Sequence, residues 1–472
     1  MRDMKMTTCV IPISIMIISL LFSCIVIGFD QGMQRIMAVQ FFAILLVGLV
    51  AVYRTRKGKI STPFLVYLIG FSFFIGGRFI GALLGGSFTD YVFTFDFGYY
   101  YHLSPSDQLK LFTIICLSLI ATFWGYLSAG HKDSKFLERS QAQVLSMSTH
   151  IQFFEGLTII LGMLYLWQII LSIQRVSALG YMTLYLDVTT EQARSELLVR
   201  ALFESMVAVT YAIYRRTGKL SKLSCVVFLL FIVSNLLSIL TGGRSHFITV
   251  ILVVLMVVFR NRRFTPKTVV FICLGALGLV TLTNHLTSMT RFTTVGPSPL
   301  DGLVKTLNGQ GLTLMLFDLS TKVDPLDYPI NAIIRLFIPG WQMVASFFDP
   351  SLKQEDLYLS SFLMKKFSPN EYAMGYGYGW SVLSDFYVMS LGSKVVFLLL
   401  NFGLGRFLFR IEDGTGKSLF REGLFVVVSL SLFTLSRSSY TEMVMSMLVY
   451  CAVYLFFRFL TKRRSYESIA RY

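Results

Sequence analysis

The chain has 472 residues, of which 54% are hydrophobic and only 14% are charged, and its formal net charge is +16. Soluble domains carry about 25% charged residues, so the composition excludes a soluble protein and predicts a polytopic membrane protein. Most Lys and Arg residues lie in short connectors between apolar segments, which indicates topology signals rather than a nucleic-acid-binding surface.

About twelve apolar segments approach the length of about 20 residues that a bilayer span requires. They lie at residues 9–29, 36–53, 64–85, 109–129, 152–173, 197–214, 223–240, 246–259, 268–286, 393–409, 422–438 and 441–460. The first is predicted to be a retained span, because no small-residue cleavage signal accompanies it. The six cysteines lie in or beside these segments without Cys-x-x-Cys spacing, so we interpret them as packing residues.

The connectors that follow the even-numbered segments are basic, at residues 54–59, 131–139, 215–222, 260–267, 406–421 and 458–464. Because Lys and Arg are retained on the cytoplasmic side, both termini are predicted to be cytoplasmic. The predicted fold is therefore an all-α polytopic membrane protein with about 12 transmembrane helices and one long external, periplasmic loop that contains short helices. Its three parts are spans 1–9 (residues 1–287), the loop (288–379), and a surface or re-entrant helix followed by spans 10–12 and a basic cytoplasmic tail (380–472).

The cytoplasmic connectors are short and contain no Gly-rich Lys-Ser/Thr phosphate loop, no His-Glu-x-x-His and no Asp-x-Asp. An enzyme that uses ATP or a nucleotide sugar on the inner face is therefore disfavoured. The sequence predicts neither a metal site nor a cofactor. Chemistry is therefore expected on the outer side of the membrane, where the long loop is predicted to lie.

Five arginines lie inside a predicted span, at the outer end of a span or in the loop, against the general charge pattern: Arg78 inside the third span, and Arg244, Arg291, Arg335 and Arg437 on the outer side. A charge at membrane depth costs roughly 2.5–3.5 kcal/mol on insertion scales, so several of them on one side suggest an anionic partner. The guanidinium fork matches phosphate oxygens in pairs, which favours a lipid phosphate or pyrophosphate. Arg244 also follows a Gly-Gly turn at a helix start, where free N–H groups favour an anion.

Each of these arginines has a simpler alternative interpretation. It could snorkel to the interface, or it could pair with a local carboxylate such as Asp90, Asp385 or Glu442. Both interpretations remain open from the sequence.

Few residues on the outer side could take up a proton. His246 and Asp385 are the candidates, and Glu442 could bind substrate or pair with the arginine five residues before it. Tyr376 and Tyr378, in a Gly–Tyr run, could stack on sugar rings or belong to an interfacial aromatic belt.

Four stretches resemble motifs of bacterial O-antigen polymerases, the Wzy or oligosaccharide repeat-unit polymerase family. Thr-Gly-Gly-Arg-Ser at 241–245 resembles a Gly-rich arginine turn, and Phe-Ile-Pro-Gly-Trp at 337–341 resembles a Pro–aromatic stretch of the periplasmic loop. The segment 379–392, with Asp385 and Tyr387, resembles a Gly-x-Ser…Glu-x-Tyr…Gly segment, and Arg437 resembles an arginine after the penultimate span. The segment departs from the family pattern in having Asp385 in place of Glu and Ser384 in place of Gly.

The resemblance implies that oligosaccharide repeat units on undecaprenyl pyrophosphate are polymerised at the outer face of the bacterial inner membrane, for O-antigen and lipopolysaccharide biosynthesis. The terminal hydroxyl of one unit would attack the anomeric carbon of the growing chain, and undecaprenyl pyrophosphate would leave. Catalytic roles then fall on Arg244, Asp385, His246 and Arg437. Substrate binding would fall on Arg291, Arg335, Arg78, Glu442, Tyr376, Tyr378 and Tyr387. A chain-length regulator and a flippase of the same pathway are the expected partners.

Two other functions fit the sequence. An O-antigen ligase, or another glycosyltransferase that uses lipid-phosphate sugars, shares the many spans and the large outer loop. A lipid-linked oligosaccharide flippase belongs to a different class and would need a cationic cavity halfway through the membrane, where only Arg78 is expected.

Overall fold

The computed structural model describes residues 2–27, 33–59, 61–85, 92–96, 99–129, 148–179, 190–241, 244–260, 262 and 299–469. The first half of the chain forms long helices: α1 (Arg2–Ile27), α2 (Met33–Thr55), α3 (Pro63–Phe74), α4 (Gly77–Leu84), α5 (Pro105–Ser128), α6 (Ser148–Leu179), α7 (Thr190–Thr217), α8 (Lys222–Leu237) and α9 (Arg244–Phe259). Short 3-10 turns cover Ser238–Thr241 and Pro325–Asp327.

The second half combines short and long helices: α10 (Pro299–Gln310), α11 (Leu312–Thr321), α12 (Ile330–Phe337), α13 (Trp341–Phe348), α14 (Gln354–Leu357), α15 (Leu359–Phe367), α16 (Pro369–Ala373), α17 (Val382–Met389), α18 (Lys394–Asp413), α19 (Leu419–Leu435) and α20 (Tyr440–Ile469). The strands β1 (Thr94–Asp96) and β2 (Tyr100–His102) pair antiparallel, with Phe95 opposite Tyr101. The described residues are thus mainly helical, as predicted for this membrane-protein class, whereas the small β-ribbon was not expected.

Polar caps define where several helices begin. The hydroxyl of Thr62 accepts a hydrogen bond from the N–H of Leu65 at 3.1 Å, and Pro63 takes the first helical position of α3. Ser104, before Pro105, caps α5 in the same way. Such caps satisfy backbone donors that the helix itself leaves free, so the sequence sets the ends of these helices locally.

Six helices of the described residues are long and apolar enough to cross a membrane: Met33–Thr55, Pro105–Ser128, His150–Ala178, Glu196–Thr217, Lys222–Thr241 and Tyr440–Thr461. Shorter apolar helices cover Cys9–Ile25 and Ser245–Phe259. The predicted spans at 393–409 and 422–438 correspond to α18 and α19, whereas the predicted span at 268–286 lies outside the described residues. The total of about twelve spans therefore stays a prediction.

The predicted third span, 64–85, is broken. Helices α3 and α4 meet at an angle of 68°. The break lies at Gly76 and Gly77, where added Cβ atoms would lie 2.4 Å from the Phe41 ring and 2.6 Å from the Leu307 carbonyl oxygen. Glycine allows both close approaches, so the bend packs against α2 and α10 where a straight helix would not.

Helix α19 packs against α3, α7, α9 and α20, and α5 packs against α18. The last pair is in backbone contact, because Cβ atoms added at Gly125 and Gly405 would lie 1.9 Å from the Phe402 carbonyl oxygen and 2.0 Å from that of Thr122. Small residues at helix interfaces are typical of membrane proteins, where close van der Waals packing holds helices together.

Two ion pairs lie at the end of the bundle that is predicted to be cytoplasmic. Arg56 pairs with Glu412, and Arg260 pairs with Glu422 at 3.0 Å. Glu422 is at the start of α19, and the opposite end of this helix lies roughly 20 Å away. At that opposite end, residues 299–373 form seven short helices, α10–α16, of at most 12 residues. Short helices were predicted for this segment, and its external position stays a prediction.

Candidate functional site

A cavity of about 740 Å³ lies where α7, α9, α19 and α20 meet the short helices α10, α12 and α13. Its wall includes the apolar side chains of Phe73, Leu197 and Met445. The arginine, glutamate and histidine residues of its lining are Arg200, Glu204, His246, Arg335, Arg437 and Glu442. Four of these six, His246, Arg335, Arg437 and Glu442, are site residues predicted from the sequence, and the fold brings them together from separate parts of the chain.

Arg437 lies in the turn between α19 and α20 and extends its exposed side chain into the cavity. Its Nη1 donates to Oε1 of Gln310, at the end of α10, and its guanidinium lies 5.7 Å from the centre of the Phe74 ring. A Cβ added at Gly379, whose φ is +78°, would lie 3.8 Å from Nε of Arg437. The guanidinium is therefore held by contacts from separate parts of the chain.

Asp385 does not line the cavity. Its carboxylate is fully buried and accepts hydrogen bonds from Trp380 Nε1 at 2.5 Å, Ser439 Oγ at 2.7 Å and the Tyr440 N–H at 2.8 Å. Burial raises the pKa of this carboxyl to about 6, although all three hydrogen bonds oppose the rise. The sequence led us to expect the Asp385 carboxylate at the catalytic position. In the structure this carboxylate instead supports the turn that carries Arg437.

Arg335 projects from α12, with its guanidinium 4.4 Å from the centre of the Tyr358 ring. Its Nε is buried and has no hydrogen-bond partner among the described residues. Because this Nε is closed to solvent, an anionic ligand in the cavity would be bound by the Nη groups of Arg335. Glu442, in the first turn of α20, is exposed to the same cavity.

Arg200 is a cavity residue that sequence reasoning missed. Its Nε donates to Glu204 Oε1 at 3.0 Å, and its Nη1 lies 2.6 Å from His246 Nε2. Arginine has only donors, so His246 Nε2 must accept, and the neutral imidazole then carries its proton on Nδ1. This acceptor nitrogen is thereby unavailable to take up a substrate proton, contrary to the expected role of His246 as a base.

A signal for Arg200 was present in the sequence. It lies with Glu204 inside the predicted span 197–214, and ionisable residues within spans are rare and often functional. The one-turn spacing of the two residues suggests a self-neutralising pair, which conceals the cavity role.

The start of α9, which follows the predicted Gly-Gly turn in the sequence, lies beside the cavity. Helix α9 begins at Arg244, and Ser245 and His246 in its first turn line the cavity. The side chain of Arg244 and the whole of Arg291 lie outside the described residues. Their expected roles therefore stay predictions.

Arg78 is buried away from the cavity, which differs from its expected role in substrate binding. Its Nη1 donates to the carbonyls of Val92 at 3.2 Å and Thr94 at 2.5 Å, and its guanidinium lies 4.6 Å from the Phe95 ring centre. The carbonyl dipoles and the ring balance the charge, so Arg78 connects α4 to the β-ribbon.

The three candidate tyrosines also lie away from the cavity lining. The hydroxyl of Tyr378 hydrogen-bonds that of Ser368, and Tyr387 donates to the Thr321 carbonyl at 3.3 Å. Tyr376 is partly exposed, at 39%. The first two thus support the short helices, and of the three only Tyr376 presents an exposed ring.

The described residues contain no group of three or more His, Cys, Asp or Glu side chains that could hold a metal ion. The described cavity presents guanidinium, carboxylate and imidazole groups, together with hydroxyl and amide side chains, beside an apolar wall. Such a lining can bind an anion that carries an apolar chain.

A comparison with protein families tests the resemblance noted above. The family O-antigen polysaccharide polymerase Wzy matches residues 6–464, from α1 to α20. No curated protein and no solved structure matches the chain. Because the family match extends over nearly all of the sequence, the chain belongs to the O-antigen polysaccharide polymerase Wzy family.

Proposed function

We propose that the protein polymerises oligosaccharide repeat units linked to undecaprenyl pyrophosphate, at the outer face of the bacterial inner membrane. Family membership supports an O-antigen polymerase role. The observation that carries the finer proposal is the convergence of Arg200, Arg335 and Arg437 from three separate helices or turns on one cavity with an apolar wall. Guanidinium groups suit a pyrophosphate, and the apolar wall suits the first prenyl units.

In the proposed reaction, the acceptor hydroxyl oxygen bonds to the anomeric carbon of the growing chain. The bond from that carbon to the pyrophosphate oxygen breaks, and undecaprenyl pyrophosphate leaves with the electron pair. Arg437 and Arg335 stabilise the negative charge that develops on the leaving group, a type of interaction that is usually the largest contribution in such sites. Their positions also orient the two substrates.

The hydroxyl proton goes to a carboxylate, for which Glu442 is our candidate. Glu204 is paired with Arg200, His246 Nε2 accepts from Arg200, and Asp385 is buried outside the cavity. Glu442 remains, because it faces the cavity and forms no ion pair among the described residues. A carboxylate within hydrogen-bond reach of the acceptor hydroxyl can act as its base.

The test uses purified full-length protein in proteoliposomes with lipid-linked repeat units from a strain that makes them. A ladder of polymer lengths supports the polymerase. Transfer of units to lipid A–core supports a ligase instead, and movement across the bilayer without new glycosidic bonds supports a flippase. We also propose that the protein works with a chain-length regulator and a flippase of the same pathway.

Arg437→Ala should reduce chain extension about 10²- to 10³-fold, as expected for loss of one donor to developing charge. The matched control is Arg54→Ala, because Arg54 is an exposed arginine at the opposite end of the bundle. The control should extend chains normally. Equal activity of both variants would remove Arg437 from the site.

A further inference from the structure

Helices α12 and α13 form a short hairpin whose outer side is unusually apolar. Phe347 and Phe348 at its end are 81% and 79% exposed. The large apolar side chains of the hairpin that are exposed and do not line the cavity are those of Ile330, Phe337, Ile338, Val344, Phe347 and Phe348. Soluble surfaces rarely expose a contiguous set of this kind, so the patch requires a partner.

The exposed apolar side chains belong to a hairpin that has defined internal contacts and two different sides. Trp341 Nε1 donates to Asn331 Oδ1 at 3.1 Å and ties one helix to the other, and Gly340, with φ of +93°, makes the turn between them. On the inner side Leu336 is buried, and Arg335 lines the cavity. The hairpin therefore separates an apolar outer side from a charged inner side.

The position of the hairpin along α20 sets its depth. A Cβ added at Gly340 would lie 3.5 Å from Sδ of Met445. Met445 is five residues into the candidate membrane span Tyr440–Thr461, or roughly 7 Å along the helix from its start. That depth corresponds to the boundary between headgroups and acyl chains, where amphipathic helices lie with their apolar side in lipid.

We propose that the α12–α13 hairpin lies in the membrane interface and that its partner is the lipid of the leaflet at the cavity end. The contact between Gly340 and Met445 joins the hairpin to α20, where Leu448 is 50% exposed about one turn beyond Met445. A lipid surface covers both with one partner. The hairpin then holds Arg335 at the depth of a lipid-linked pyrophosphate, a consequence that rests on the proposed function.

The test is photo-crosslinking of the full-length protein. The benzophenone amino acid p-benzoylphenylalanine replaces Phe347 or Phe348, and in a control variant it replaces Gln354, an exposed polar residue of α14. The proteins are irradiated in vesicles of phosphatidylethanolamine and phosphatidylglycerol, and intact masses are measured. Lipid adducts should dominate at 347 and 348 and be minor at 354.

Three results would overturn the proposal. The first is a dimer band, which would show a second copy on the patch. The second is a cross-link to another protein when the experiment is repeated in native membranes. The third is lipid adducts that are no more abundant at 347 and 348 than at 354. Because Phe347 and Phe348 are exposed, the larger benzophenone side chain fits at both positions, and elution of the labelled proteins at the volume of the parent protein confirms that they fold. Lipid cross-linking needs no catalysis, so its outcome is independent of whether the polymerase assay succeeds.

Discussion

The buried carboxylate of Asp385 allows a positioning role to be distinguished from a catalytic one. In Asp385→Asn, the amide oxygen can still accept from Ser439 and Tyr440, but the amide nitrogen then faces the N–H of Trp380. One buried donor loses its acceptor, which costs about 1–3 kcal/mol. When displacement of the Arg437 turn transfers this cost to the transition state, chain extension falls by up to about 5- to 150-fold.

A second substitution makes the prediction specific. Trp380→Phe removes the N–H that opposes the new amide, so the double variant Trp380→Phe/Asp385→Asn should be no less active than Asp385→Asn alone. The two changes should therefore be non-additive, as expected for residues in direct contact. The assay is the rate of polymer extension per folded protein, at saturating and at low substrate, together with its pH profile.

A catalytic base predicts a different pattern. Loss of a general base costs about 10²- to 10⁴-fold, and a change at Trp380 would not restore it. Loss of the acidic limb of the pH profile in Asp385→Asn, with additive effects of the two substitutions, would refute the positioning role. Retention of the profile with partial activity supports it.

The remaining predictions concern stability, the proposed base and helix packing. The pKa of Asp385 is raised to about 6 in the folded protein, whereas the unfolded chain releases this proton near pH 4. The proton bound by Asp385 therefore contributes fully to stability below about pH 4, and this contribution is lost as the pH rises through about 6. The melting temperature of the wild type minus that of Asp385→Asn should therefore be larger at about pH 4 than at about pH 7.5. A difference that does not change with pH would contradict the raised pKa of Asp385. Glu442→Gln should reduce extension about 10²- to 10⁴-fold with normal membrane levels, and normal extension would exclude it as the base. Gly405→Ala should lower thermal stability in detergent, because its Cβ would lie 2.0 Å from the Thr122 carbonyl oxygen. The control Gly403→Ala should leave stability unchanged, because no atom lies within 4 Å of its added Cβ. Equal melting temperatures of the two variants would refute the close contact.

The sequence by itself determined the long apolar helices, because a bilayer imposes their length and composition directly on local segments. It did not predict the break at Gly76 and Gly77. The glycines were visible, but the reason for the bend is contact with Phe41 and the Leu307 carbonyl, which are distant in the chain. Local hydropathy carries no information on such contacts.

The same distinction applies to the cavity. Unexpected charge singled out Arg335 and Arg437, because ionisable side chains near membrane ends are costly and therefore informative one at a time, and Glu442 stood out as one of the few acids on the outer side. Only the packing of α7, α9, α12 and α20 decided that these groups share a cavity with Arg200. Tertiary structure also turned Asp385 away from that cavity and made it a hydrogen-bonded support. Burial and hydrogen-bond partners depend on neighbours that are distant in sequence, and for this reason the tertiary structure alone assigned Asp385 its place.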